Sequence, residues 1–103
     1  MTIAELNDAL RTTFQGGAVF LTAGIDSSPD RDQIVKTVRQ YAGPWTEDND
    51  PYQEHDFAKV VVNGTDCFFK IDYYNQDYSG LSEDASDPDV TERVLTIMLA
   101  EEY

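Results

Sequence analysis

The chain has 103 residues, of which 41% are hydrophobic and 12% aromatic, and its formal net charge is −13. This length suits one domain, 1–103, and the content of aromatic and β-branched residues excludes a disordered acidic tail. Seven basic residues scattered among twenty acidic ones argue against direct binding to nucleic acid, which requires a basic stripe.

The negative charge is concentrated in one part of the chain. Residues 1–46 contain five acidic and four basic residues, whereas residues 47–103 contain fifteen acidic and three basic ones. Electrostatic repulsion among these crowded charges destabilises the folded chain, so we expect their negative electrostatic field to serve a function. It repels nucleic acid and anionic membrane surfaces, and it attracts basic protein surfaces.

The amino terminus lacks the basic segment and apolar run of a secretory signal, and no apolar stretch reaches the roughly 20 residues that span a bilayer. We therefore expect a cytoplasmic protein. Cys67 is the only cysteine, so no intrachain disulfide can form, and its apolar neighbours predict a buried thiol.

The first predicted element is an amphipathic helix. Thr2 and Glu5 have the spacing of a capping box, and apolar residues then recur every three or four positions as far as Phe14. Gly16-Gly17 is expected to end this helix. The short apolar run 18–23 that follows is rich in β-formers and predicts a buried strand.

A second helix is predicted to begin at Ser28-Pro29-Asp30, because serine suits the N-cap and proline the first helical position. Gly43-Pro44 is expected to stop it. Residues 44–56 then form a polar, acidic connector, which we expect Trp45 and Tyr52 to attach to the body of the domain.

Residues 57–74 predict a β-hairpin. Asn63-Gly64 is typical of a two-residue type I′ turn, and the resulting register pairs residues whose numbers add to 127. One face of the pleat is then apolar and faces the core, while the other mixes aromatic and charged residues and is half exposed. The core face contains Ala58, Val60, Cys67 and Phe69.

A second acidic connector, 75–88, leads to a last predicted helix that opens at Ser86-Asp87-Pro88 and ends at Glu101-Glu102. The predicted order is therefore α-β-α-β-β-α. The simplest fold of this order is an α+β domain with a three-stranded, mostly antiparallel sheet and helices packed on one face.

Five segments carry a likeness that runs over nearly the whole chain: Leu21–Ile25, Glu47–Tyr52, Glu54–Phe57, Lys70–Tyr74 and Val94–Tyr103. They resemble a family of small acidic bacterial proteins of unknown function that is found on plasmids and other mobile elements. The resemblance implies no catalytic residue, but it implies a role in evading host defence.

His55 is the centre of the one constellation that suggests chemistry. Extending the hairpin register places His55 opposite Asp72 and Asp56 opposite Ile71. A histidine facing a carboxylate can be an acid–base pair or two ligands of a metal, and it can also be a structural hydrogen bond. A single histidine gives little support for a zinc site, because such sites usually have several nitrogen or sulfur ligands.

Other motifs are missing from the sequence. Asp48-Asn49-Asp50 opens like a calcium-binding loop, but Gln53 and Lys59 stand where an EF-hand needs glycine and glutamate. Neither a GxxxxGK[ST] nor a GxGxxG phosphate loop occurs, so no cofactor is predicted.

Tyrosines interleave with acids near Asp72 and again near Asp77, a pattern that suits contact with arginine and lysine on a partner. We expect such a partner to be contacted by Glu47, Asp48, Asp50, Glu54, Asp72, Tyr74, Asp77, Tyr78, Glu83 and Asp84.

These patterns favour a binding protein over an enzyme and leave three hypotheses. The first is an inhibitor that mimics nucleic acid and binds a basic nucleic-acid-binding protein, such as a restriction or CRISPR effector. The second is a metal-binding module or metal-dependent enzyme centred on His55, Asp56 and Asp72. The third is that acidity only keeps the domain soluble. The oligomeric state stays open.

Overall fold

The amino-terminal helix α1, Ile3–Thr13, forms as the capping box predicts. The backbone N–H of Glu5 donates to the Thr2 hydroxyl at 3.1 Å, and the Thr2 N–H donates to the Glu5 carboxylate at 2.9 Å. The helix ends before the glycine pair, because Phe14 adopts a left-handed conformation with φ of 60°. All 103 residues are described by this computed structural model.

Strand β1, Ala18–Leu21, follows α1 and confirms the predicted strand with a slightly earlier end. A four-residue helix that was not predicted, α2 (Ala23–Asp26), comes next and buries Ile25. Helix α3, Arg31–Gln40, is the predicted second helix, but it begins after Asp30 rather than after Ser28.

The hairpin is confirmed with its register. Strand β2, Phe57–Val62, pairs antiparallel with strand β3, Thr65–Tyr74, from Phe57 opposite Lys70 to Val62 opposite Thr65. Both turn residues have positive φ, 50° at Asn63 and 80° at Gly64, as a type I′ turn requires.

The predicted last helix is wrong. Residues 92–99 form strand β4, Glu92–Leu99, and a short 3₁₀ helix, Ala100–Glu102, follows it. A buried apolar run cannot be assigned to helix or strand by periodicity alone. Here the run pairs on both sides, with β1 and with β3, so a strand satisfies its backbone N–H and C=O groups.

The sheet therefore has four strands in the order β1-β4-β3-β2, with β1 parallel to β4 and the other pairs antiparallel. This corrects the three-stranded sheet and the order α-β-α-β-β-α. The α+β class and the packing of the helices on one face are confirmed. The core between helices and sheet contains Leu10, Ile25, Ile34, Val38, Ala58, Val60, Val62, Cys67, Phe69, Ile71, Leu95 and Ile97.

None of the helices combines the length and the apolar character needed to cross a membrane.

Candidate functional site

Two acidic loops meet at one end of the sheet. The first, 41–56, joins α3 to β2, and the second, 75–91, joins β3 to β4. Because β3 is antiparallel to both neighbours, it ends where β2 and β4 begin. The two loops therefore adjoin the same end of the sheet. We call loops 41–56 and 75–91 together the acidic end.

The acidic end holds ten acidic residues and no lysine or arginine. None of the ten carboxylates lies within 4.0 Å of a lysine or arginine nitrogen, whereas Asp72, on β3, lies 3.2 Å from Lys70. Arg11 and Arg93 lie near these loops, but both are buried. The negative charge of the acidic end is therefore not neutralised within the chain.

The buried carboxylate of Asp50 holds the backbone of the first loop in place. It is 4% exposed, and its carboxylate accepts the backbone N–H of Glu54 at 2.7 Å and of His55 at 3.2 Å. Thr46 and Asn49 cap each other's backbone N–H beside it. Asp50 was expected among the partner contacts, and the structure places it inside the loop instead.

Trp45 attaches the first loop to the core, as predicted. Its indole packs edge-on against Tyr41 and Phe69, with centroids 4.9 and 6.1 Å apart. The same role was expected of Tyr52, but this side chain is 82% exposed, so that prediction is wrong.

His55 does not face Asp72. Strand pairing begins at Phe57, and beyond it only the hydrogen bond from the Ile71 N–H to the Asp56 carbonyl continues, at 2.8 Å. The reason is local, because His55 has a φ of 58° and turns the chain away from the sheet. The predicted His55–Asp72 pair is therefore not formed.

The imidazole of His55 contacts Asp8 on α1 instead. Its Nδ1 lies 3.0 Å from both carboxylate oxygens of Asp8, and its ring stacks on Trp45 with centroids 4.2 Å apart. Arg11 also donates to Asp8, at 3.0 Å. No group of three histidine, cysteine, aspartate or glutamate side chains has the spacing to hold a metal ion.

Asn7 links α1 to both loops. Its side-chain amide donates to the Glu54 carbonyl at 2.9 Å and to the Tyr73 hydroxyl at 2.8 Å. Its oxygen accepts from Arg93 at 2.6 Å, and Arg93 donates in turn to the carbonyl of Ala85 in the second loop. Burial lowers the pKa of Arg93 and raises that of Tyr73.

These α1 residues were missed at the sequence level, although one signal was available. Asn7 and Arg11 are one helical turn apart and interrupt the apolar stripe formed by Ile3, Leu10 and Phe14. Polar residues inside such a stripe are buried with the helix, so they need partners from elsewhere in the fold.

The second loop holds its acids by short local hydrogen bonds. Asp77 accepts the N–H of Ser79 at 3.0 Å, and Asp84 accepts both the N–H and the hydroxyl of Ser86. These bonds lower the pKa of both carboxyl groups, because they stabilise the ionised form.

The expected contact residues differ in exposure. The exposed ones are Glu47, Asp48, Asp77, Tyr78, Glu83 and Asp84, and the half-buried ones are Glu54, Asp72 and Tyr74. Tyr74 and Tyr78 pack together with ring centroids 5.8 Å apart. Except for Asp72 and Tyr74, which lie at the adjoining end of β3, they all belong to the acidic end.

Asp56 is half-buried within this group of acids. Burial raises the pKa of its carboxyl group, and the charge of Glu54 raises it further. The acidic end therefore contains one carboxylate whose ionisation opposes folding.

Residues 21–102 match the model of a family described as a protein of unknown function, DUF3768. The match spans both loops and strands β2, β3 and β4, but only the last residue of β1, and it confirms the resemblance to an uncharacterised family. No curated protein and no solved structure matches the chain.

Proposed function

The chain belongs to the DUF3768 family, and we propose that this member is an acidic interaction module that binds the nucleic-acid groove of a basic protein. One observation carries the proposal. The ten carboxylates of the acidic end have no lysine or arginine partner in the chain, so their field is available to a partner.

The carboxylates take the place of phosphates in this proposal. Duplex DNA presents about one charge per 1.7 Å along its axis, and a protein groove that binds it is lined with lysine and arginine. Two adjacent loops that carry only negative charge offer the same kind of surface. Tyr78, exposed between Asp77 and Glu83, adds a ring that can stack on arginine.

The loops are also held in shape before binding. Asp50, Asn7 and Arg93 fasten their backbones from the buried side, and the exposed carboxylates extend from this frame. A preformed surface loses less conformational entropy on association than a flexible acidic tail does.

The target class that we propose is a bacterial defence effector that binds nucleic acid, of the restriction or CRISPR type. This part of the proposal follows from the resemblance to proteins of plasmids and mobile elements, and it implies a cytoplasmic site of action.

The test is affinity capture with matched variants. The chain is immobilised, a bacterial lysate is passed over it, and bound proteins are eluted with duplex DNA or with salt and identified by mass spectrometry. The acidic-end variant carries Glu47→Gln, Asp48→Asn and Glu83→Gln, none of which makes a side-chain hydrogen bond in the chain. The control variant neutralises Asp32, Asp66 and Glu101, away from both loops.

We expect a nucleic-acid-binding protein to be retained by the wild type and the control variant and to be lost with the acidic-end variant. Its affinity should fall steeply with salt concentration, and DNA should displace it, because both act on the same charges. Nucleic-acid mimicry is contradicted if neither salt nor DNA elutes the retained partner. It is also contradicted if the acidic-end variant retains the partner as well as the wild type does.

A further inference from the structure

A cavity of about 550 Å³ lies between α3, the end of α1 and the end of β1. Its volume falls in the range of about 300–1,000 Å³ that is typical of small-molecule sites. The wall combines basic side chains from α3 with two half-buried apolar ones, Leu21 and Val35. We call this space the basic cavity.

The basic cavity contains most of the positive charge that the chain leaves unpaired. Only three of the seven basic residues are exposed and have no carboxylate within 4.0 Å, namely Lys36, Arg39 and Lys59. Lys36 and Arg39 line the basic cavity, whereas Lys59 lies on strand β2. An anion is repelled by a chain of net charge −13 over most of its surface, so a place where two free cations converge is distinctive.

Arg39 is held in position before any ligand binds. Its Nε and Nη2 donate to the backbone carbonyl of Thr12 at 3.2 and 3.0 Å, and its guanidinium carbon lies 4.7 Å from the centre of the Phe14 ring. These contacts leave Nη1 without a hydrogen-bond acceptor in the chain. The guanidinium therefore needs little further ordering to donate to a ligand.

Lys36 lies one helical turn before Arg39 on the same side of α3. Residues three apart on a helix have Cβ atoms about 5–6 Å apart, so the ammonium and the guanidinium can reach two oxygens of one tetrahedral anion. Arginine and lysine are the side chains that most often bind phosphate, the first by directed hydrogen bonds and the second as a point charge.

The other end of the basic cavity is neutralised within the chain. Arg31 lies 3.3 Å from Asp32 and 3.4 Å from Asp26, so it supplies no free charge. Eight residues of helix separate Arg31 from Arg39, a distance of about 12 Å. The free positive charge is thus at one end of the cavity, and the apolar residues and the paired charges are left to contact the rest of a ligand.

We propose that the basic cavity binds a small organic phosphate monoester. The phosphate contacts Lys36 and Nη1 of Arg39, and the organic part packs on Leu21 and Val35. This inference does not depend on the proposed function, because none of the lining residues belongs to the acidic end. Either proposal can therefore fail without the other.

The test is a titration of the isotopically labelled chain, followed by the amide signals in two-dimensional NMR spectra. Adenosine monophosphate is the probe, and adenosine, inorganic phosphate and benzoate are the comparison compounds. We expect adenosine monophosphate at millimolar concentration to shift the amide signals of α3 and of residues around Thr12 and Leu21. Each comparison compound lacks either the phosphate or the organic part, so each should bind more weakly.

Variants assign the binding to the two free cations. Lys36→Gln removes a side chain that makes no hydrogen bond or salt bridge in the chain, and we expect the dissociation constant of adenosine monophosphate to rise about tenfold. Lys59→Gln is the matched control, because it removes the same charge from an exposed strand position, and it should leave the constant unchanged. Circular dichroism verifies that both variants fold.

Four outcomes would overturn the proposal. The first is the absence of any shift in α3 with adenosine monophosphate. The second is adenosine or benzoate binding as tightly, which would mean that phosphate is not recognised. The third is inorganic phosphate binding as tightly, which would mean that the organic part makes no contact. The fourth is an equal loss of affinity in Lys36→Gln and Lys59→Gln, which would reflect net charge alone.

Discussion

The acidic end lies beyond the end of strand β3, whereas the sheet face opposite the helices, which we call the open face, runs along this strand, and the two are built in different ways. At the acidic end, buried polar groups hold loops that project charge: Asn7, Asp50 and Arg93 satisfy backbone or amide groups beneath an unpaired acidic surface. On the open face, strand pairing holds apolar side chains such as Phe20 and Phe57 in place.

The two surfaces therefore depend on different interactions. Removing a buried hydrogen-bond partner should disturb the acidic end and leave strand pairing intact. Removing an exposed apolar group from the open face should have little effect on folding.

The largest expected effect is that of Arg93→Ala. Arg93 is 2% exposed, and its loss leaves the buried oxygen of Asn7 and the carbonyl of Ala85 without their donor. We expect the free energy of unfolding to fall by about 3 kcal/mol, measured by urea denaturation, since unsatisfied buried groups and the cavity both contribute. Amide exchange should rise first in the second loop.

A double-mutant cycle with Asn7→Ala sharpens this prediction. The two side chains form one network, so the double variant should lose less than the two single losses combined. Strict additivity would mean that the network does not couple α1 to the second loop.

A smaller effect is expected for Asp50→Ala. The carboxylate accepts two backbone N–H groups, and without it the free energy of unfolding should fall by about 2 kcal/mol in the same assay. Asp48→Ala is the matched control, because Asp48 is exposed and makes no side-chain hydrogen bond. Equal losses in both variants would show that Asp50 does not shape the loop.

The smallest effect, and a stabilising one, is expected for Asp56→Asn. Its raised pKa means that the folded chain binds this proton more tightly than the unfolded chain, so stability is lost as pH rises through the folded-state value. Asparagine removes that loss, so the melting temperature at pH 7 should rise. The gain in the free energy of unfolding should be less than about 1 kcal/mol, because solvent screens a half-exposed charge.

The gain from Asp56→Asn should vanish below the ordinary aspartate pKa, about 3.9, where both chains are neutral at this position. Melting curves of the variant and the wild type across the acid range measure it. A gain that persists at the lowest pH would come from packing and not from charge.

Elements whose signals are local can be predicted from the amino-acid sequence. The capping box of Thr2 and Glu5 predicts the start of α1, and Asn63-Gly64 sets the register of a hairpin whose alternating residues then identify the core face. The concentration of acids in the two connectors is also a property of the sequence. In each case the interacting residues are close along the chain, so few alternative arrangements compete.

Features that depend on partners distant in the sequence become visible in the folded chain. The apolar run of β4 is a strand because β1 and β3 flank it, and those neighbours lie far away in the sequence. His55 pairs with Asp8, 47 positions away, rather than with Asp72, because a positive φ turns it out of the register. Backbone pairing and buried polar partners are satisfied by the whole fold, and no local pattern of residues specifies them.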